Sequence, residues 1–209
     1  MFDDMSPLND MHSKRIAERI KSIAVVDSVK EVDELRNEIE KSISDDGIRN
    51  AATFMHFDIG VLVAYLNASH DDYRKVFIPS IVTSFNQLIE NASDCMLLQK
   101  MGPYLVYGFK EDAIAHFQYE EDYLFPYALQ IDQNHVSNNY STAQFEEDHP
   151  NHVVDIEKLL LFFSMLKEEL NGFMSYRILM KRLNILKREF DLHGLIEDEI
   201  LIPKIQELE

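Results

Sequence analysis

The sequence predicts an all-α protein: an up-down four-helix bundle over residues 56–209, after an N-terminal helical extension over residues 1–55. Three observations support this prediction. Only six glycines and six prolines interrupt 209 residues, of which 46% are hydrophobic. Long segments place apolar side chains at the three- and four-residue spacing of a helix face. An eleven-residue segment with helical spacing occurs twice, as HFQYEEDYLFP and as HGLIEDEILIP.

The N-terminal extension has helical patterns between Met11 and Ile43, and the turn residues Asp46 and Gly47 follow it. We find no chemistry-bearing motif in it, so we expect an arm that packs on the main domain or joins two copies of the chain as a homodimer. The apolar run FDIGVLVAYL that follows predicts a helix or a buried connection.

Two long helices are expected next, each with an inner stripe of apolar residues. The first begins near Asn67, and Pro79 is expected to kink it. A turn over residues 95–103 leads to the second helix, which begins near Pro103. Pro126 is expected to kink or loosen the end of that helix.

Two further long helices complete the predicted bundle. Ser141 or Thr142 is a suitable N-cap for the third helix, and Asn171 and Gly172 mark its end. The fourth helix begins near Ser175 and continues almost to the end of the sequence. Four long helices joined by short connections are typical of an up-down bundle.

The inner stripes of the four helices each carry a histidine, and two of them carry a glutamate one turn later. These candidate metal ligands are His70, His116, Glu120, His149, His193 and Glu197. Residues four apart lie on one face of a helix, and a buried glutamate is costly unless it is paired or bound to a metal. Two glutamates among four inward histidines therefore predict a centre of two metal ions.

The two copies of the eleven-residue segment place these ligands in register. The first copy runs from His116 to Pro126, and the second copy runs from His193 to Pro203. A histidine also precedes each copy at a similar interval, at His70 and His149. This order indicates an internal duplication in which each half supplies two histidines and one glutamate.

Two choices among neighbouring residues remain open. His149 continues an apolar stripe and keeps the spacing between the halves, whereas His152 has Asp155 three positions later and shortens that spacing. We favour His149. Glu121 and Glu199 neighbour the favoured glutamates but point away from the inner stripe of an ideal helix, so we expect them on the solvent side or in support of the ligands.

The ligand motifs, together with HDDYRKVFIP from His70, resemble the hemerythrin-like domain of the repair-of-iron-centres proteins over about residues 60–209. The resemblance implies a non-haem di-iron centre with an oxo or hydroxo bridge. It implies that the four histidines supply terminal nitrogens and that Glu120 and Glu197 bridge the ions. It also implies repair of damaged iron–sulfur proteins in nitrosative or oxidative stress.

The sequence departs from that family in one respect, because such proteins often carry paired cysteines in a short N-terminal domain and residues 1–55 contain no cysteine. An oxygen or nitric oxide binding or sensing protein of the hemerythrin type is therefore retained as the alternative function. A metal-free helical scaffold that pairs through its N-terminal arm is a third hypothesis.

The composition predicts the cellular compartment and disfavours some classes of binding partner. The net charge of −17 disfavours binding to nucleic acid or to an anionic membrane surface. Cys95 is the only cysteine, so no internal disulfide can form, and a reducing cytoplasm is expected. The N-terminal segment lacks the apolar core of a secretory signal, and no apolar run is long enough to span a membrane.

Overall fold

The computed structural model of the chain describes residues 55–133, 140–148 and 152–209, without the side chains of residues 146–148 and 152–155. The predicted arm over residues 1–55, and with it the predicted homodimer contact, lies outside the described residues apart from Met55. His149 also lies outside them.

The described residues form helices joined by turns and include no strand, which confirms the predicted all-α class. The α-helices are α1 (Ile59–Asp72), α2 (Ile78–Asn91), α3 (Met96–Tyr119), α4 (Phe125–Asp132), α5 (Thr142–Asp148), α6 (His152–Met165), α7 (Lys167–Leu170), α8 (Met174–Ile196) and α9 (Ile202–Gln206). Three π-helical turns of five residues separate consecutive α-helices, at Tyr73–Phe77, Glu120–Leu124 and Glu197–Leu201.

The predicted turn over residues 95–103 is wrong, because α3 begins at Met96 and continues through Pro103. A proline ring disfavours a helical conformation in the preceding residue through contact with its Cβ. The preceding residue here is Gly102, which has no Cβ. Gly102 also lies against a buried ring, since an added Cβ would be 2.8 Å from Cε2 of Phe85.

The described helices divide between two compact units. Of the described residues, unit 1 comprises residues 55–69, 125–133, 140–142 and 192–209, and unit 2 comprises residues 70–124, 143–148 and 152–191. Helices α1 and α8 each contribute residues to both units.

Unit 2 has a continuous apolar core to which α2, α3, α6 and α8 contribute. The stripes predicted for these helices supply much of it, and its buried members include Ile81, Phe109, Phe163, Leu183 and Phe190. Burial stabilises the fold by roughly 1.5–3 kcal/mol for each fully buried large apolar side chain. This core therefore fixes the positions of the helix ends that carry the histidines of unit 2.

Unit 1 contains the helices that follow the two sequence copies, α4 and α9, and these helices contact each other. The Glu209 carboxylate accepts hydrogen bonds from the Tyr127 hydroxyl at 2.7 Å and from the backbone N–H and hydroxyl of Thr142 at 2.8 and 2.7 Å. The predicted start of a helix at Ser141 or Thr142 is thus confirmed at Thr142, whose backbone donor is satisfied by Glu209.

Candidate metal centre

The first copy joins a histidine and a glutamate at the end of α3. His116 lies in the last turn of α3 and Glu120 is the first residue of the following π-helical turn. The side chains are 6% and 0% exposed, and Nε2 of His116 contacts Oε1 of Glu120. The spacing of four residues therefore brings imidazole and carboxylate together in a buried environment, as predicted.

A second histidine reaches the same carboxylate from α1. Nε2 of His70 lies 2.9 Å from Oε2 of Glu120, and both side chains are fully buried. The two oxygens of Glu120 thus face two different histidines within unit 2. Nitrogen and oxygen donors presented in this way are suited to hold a metal ion.

Glu121 supports His70 from the other side of the imidazole ring. Its Oε1 accepts a hydrogen bond from Nδ1 of His70 at 2.8 Å and one from Nη1 of Arg74 at 2.6 Å. Burial raises the pKa of Glu121, but the hydrogen bonds and charges of His70 and Arg74 outweigh burial and leave this pKa below its ordinary value.

An aromatic ring fixes the plane of His70. The imidazole stacks on Phe117, with ring centroids 4.5 Å apart and planes 24° apart. The guanidinium of Arg74 lies 5.6 Å from the centroid of the same ring, and Tyr73 and Phe190 pack around Phe117. Nε2 of His70 is therefore directed at Glu120 by contacts on the face and on Nδ1.

The second copy has the same local order in unit 1. His193 lies in the last turn of α8, and Glu197 is the first residue of the π-helical turn after it. Nε2 of His193 lies 3.5 Å from Oε2 of Glu197, and the side chains are 6% and 2% exposed. Five of the six predicted ligands are thus buried or nearly buried in the described part of the chain.

Buried histidine and glutamate side chains in the described part of the chain could therefore hold a metal ion. Imidazole nitrogen and carboxylate oxygen together suit iron, manganese and zinc, so the donor set fits a metal without fixing which one.

Each of the three π-helical turns ends two residues before a proline. Pro79, Pro126 and Pro203 are the second residues of α2, α4 and α9. Proline has no N–H to donate to the carbonyl four residues earlier, and its ring collides with that carbonyl. A wider turn relieves both effects, and such turns are frequent at functional sites.

These turns follow the candidate histidines closely. His116 and His193 lie four residues before the start of their π-helical turns, and His70 lies three residues before Tyr73. The kinks predicted at Pro79 and Pro126 therefore have a definite form, a wide turn beside each histidine. The sequence signal was a bulky apolar residue followed by proline, as in Phe125-Pro126.

One buried carboxylate was not expected from the sequence. Glu189 on α8 is only 1% exposed, and it precedes His193 by one helical turn. The backbone carbonyl of Glu189 accepts a hydrogen bond from the Tyr73 hydroxyl at 3.1 Å. The repeated spacing from Glu189 to His193 to Glu197 was the available signal.

The choice in the third predicted helix stays a prediction. His152 is the first residue of α6, and its side chain is outside the described part of the chain, as is all of His149. The rings of Tyr119 and Tyr123 pack with centroids 4.9 Å apart, and Tyr119 stacks on Phe145.

No helix in the described part of the chain is both long and apolar enough to cross a membrane. No family model, curated protein or solved structure matches this chain.

Proposed function

We propose that the chain is a non-haem di-iron protein built on an up-down four-helix bundle, as in the repair-of-iron-centres proteins that it resembles. The proposed ligands are His70, His116, Glu120, His149, His193 and Glu197. The observation that carries the proposal is the buried Glu120 carboxylate with a histidine on each oxygen.

Burial of this group argues for a cation. Moving a carboxylate out of water costs several kcal/mol, and Glu120 is fully buried. His70 and His116 can offset this cost by hydrogen bonds to Glu120, and a divalent ion bound by all three would offset it further. A purely structural role would be served as well by apolar residues of similar size.

Iron is proposed because the resemblance implies it, and six protein ligands over two ions leave coordination positions open. A di-iron centre supplies electron transfer and binding of a small diatomic molecule at those positions. The residues of this chain hold the ions, exclude bulk water through Phe117 and its aromatic neighbours, and fix the orientation of His70 through Glu121.

The proposed activity is the repair of iron–sulfur clusters damaged in nitrosative or oxidative stress, in a reducing cytoplasm. The partners would be a damaged iron–sulfur protein and oxygen or nitric oxide. The support for this activity is the resemblance, together with a ligand set that leaves the ions less than fully coordinated and so able to leave.

Repair is tested with an iron–sulfur dehydratase inactivated by nitric oxide. The iron-loaded protein should restore its activity faster than the same concentration of ferrous salt. The His116→Ala variant, loaded under the same conditions, should not. If the loaded wild-type protein gives no more recovery than ferrous salt, repair is refuted while the metal centre stands.

A second function is favoured by the apolar surroundings of His70. Phe117, Tyr73 and Phe190 pack with centroid distances of 5.0–6.0 Å beside it, and a dry surrounding favours reversible binding of a diatomic molecule. This oxygen or nitric oxide carrier or sensor would bind its ligand reversibly in the reduced state. It would transfer no iron to an iron-depleted acceptor protein. This outcome distinguishes a carrier or sensor from a repair protein.

A further inference from the structure

The hydrogen bonds of Glu121 form a short chain that ends on His70. Arg74 and His70 donate to the same carboxylate oxygen, Oε1, at 2.6 and 2.8 Å. The side chains of Arg74 and Glu121 are each 23% exposed, whereas His70 is fully buried. The negative charge of Glu121 is therefore directed at Nδ1 of the buried imidazole.

A surface ion pair alone would not need this arrangement. Exposed ion pairs contribute little to stability. Arg74 could also pair with the Glu121 carboxylate if no histidine shared that carboxylate. The stacking of His70 on Phe117 at 4.5 Å leaves only the two ring nitrogens for polar contacts. One faces Glu120 and the other faces Glu121.

We propose that Glu121 and Arg74 are positioning residues for the proposed metal centre. Glu121 keeps the proton of His70 on Nδ1, so that Nε2 is offered to the metal, and Arg74 holds the Glu121 carboxylate in place. This inference rests on the proposed function. A carboxylate that accepts the second N–H of a ligand histidine orients the ring and makes it a stronger donor.

In the described residues, His70 is the histidine that Glu121 contacts. Glu121 therefore strengthens the ligand of one ion. The ion at His70 is bound more tightly than it would be by an unsupported histidine, and its loss should be separable from that of the other ion.

The test is a stepwise anaerobic titration with ferrous iron against a competing chelator. In Glu121→Ala, one of the two ions should bind roughly 10–100-fold more weakly, with the other unchanged. Glu121→Gln keeps an acceptor oxygen without the charge and should lose less, in the same ion. Arg74→Met should fall between Glu121→Gln and the wild type.

The matched control is Asp122→Asn, the next carboxylate along the chain. Asp122 is exposed and accepts a hydrogen bond from Gln118 at 2.9 Å. It carries the same charge as Glu121, but its hydrogen-bond partner is Gln118 and not a histidine. Its removal should leave both affinities unchanged, which separates a hydrogen bond to the ligand from a general change of charge.

A spectroscopic measurement keeps the inference testable if Glu121→Ala folds poorly. In the cobalt-loaded protein, the Nδ1 proton of His70 should give a shifted resonance that exchanges slowly in the wild type and faster in Glu121→Gln. Equal affinities for both ions and equal exchange in Glu121→Gln and wild type would overturn the inference. A wild-type protein that binds no metal would instead overturn the proposed function.

Discussion

The two copies of the eleven-residue segment share one backbone course but have different side-chain surroundings. In each copy a histidine lies in the last turn of an α-helix, a glutamate begins a π-helical turn, and a proline follows at the second residue of the next helix. In the first copy, however, the glutamate oxygens face two histidines of one unit. In the second copy, Nε2 of His193 lies 3.5 Å from Oε2 of Glu197.

The residue after each histidine shows the same difference. In the first copy it is Phe117, which stacks on His70 and lies in the core of unit 2. In the second copy it is Gly194, whose added Cβ would be 3.7 Å from the Asp198 carboxylate. The duplicated feature is therefore the helix end that presents histidine and glutamate. The side chains that pack around this helix end differ between the copies.

Replacing each of the two glutamates in turn should give the largest difference in metal content between the copies. Glu120 offers one oxygen to His70 and the other to His116, so Glu120→Ala should abolish binding of both ions. Glu197→Ala should keep at least one ion. Metal content after loading and gel filtration measures this, with Asp122→Asn as the control. Equal losses in the two glutamate variants would contradict the difference between the copies.

Substitutions at the position after the histidine should have opposite signs. Phe117 is 2% exposed, so Phe117→Ala should lower the free energy of unfolding by about 3–5 kcal/mol. Gly194→Ala meets only an ordinary contact and should raise it by up to about 1 kcal/mol through helix propensity. Urea unfolding of the metal-free proteins compares them, and a loss of stability in both would refute the comparison.

The prolines test what the copies share. Pro126→Ala and Pro203→Ala restore an N–H, which lets the π-helical turn relax to an α-helix and rotates the preceding glutamate. We expect a roughly tenfold loss of metal affinity, which corresponds to about 1.4 kcal/mol, without a loss of stability.

Pro103→Ala is the control for the proline variants, since Pro103 lies inside α3 with no π-helical turn recorded in that helix. It should leave metal affinity unchanged and raise stability, because proline is unfavourable in a helix interior. If Pro126→Ala kept the wild-type affinity, the π-helical turn would not depend on its proline.

The smallest effect concerns the helices that follow the two copies. Glu209→Gln removes the charge that Tyr127 and Thr142 bind and should cost about 1 kcal/mol at neutral pH, since Glu209 is largely exposed. Burial raises the pKa of Tyr127 to about 12, with help from Glu209, so the hydroxyl remains a donor throughout the accessible pH range.

Lowering the pH should reduce the difference in stability between the wild type and Glu209→Gln. Burial raises the pKa of Glu209, but hydrogen bonds from Thr142 and Tyr127 outweigh it and leave the pKa below its ordinary 4.5. Its contribution to stability is therefore complete above 4.5 and lost as pH falls through the lower folded value. Thermal unfolding between pH 7 and pH 3 measures this, and a gap that widened in acid would contradict it.

The sequence predicted the helical class and the pairing of His116 with Glu120, because both follow from the regular spacing of residues on a helix face. It left open whether Glu121 faces solvent or supports the ligands, and Glu121 in fact hydrogen bonds to His70. Glu121 was judged from an ideal α-helix, in which it points away from the inner stripe, but the π-helical turn that begins at Glu120 alters that direction.

Two other differences arose from tertiary contacts. Pro103 read as a helix boundary, but the close approach of Gly102 to Phe85 and the missing Cβ let α3 pass through it. Glu189 lay outside the predicted apolar stripe, yet it is buried where Tyr73 hydrogen bonds to its backbone carbonyl. Neither contact could be read from local spacing, since the partners are distant in sequence.

The most direct test of the metal centre is the iron content and absorption spectrum of protein purified in air. The account predicts about two irons per chain, as expected for a dinuclear site, and a charge-transfer band of a bridged diferric centre that disappears in His116→Ala. Protein that retains no metal after iron loading, or a band that persists unchanged in His116→Ala, would contradict it.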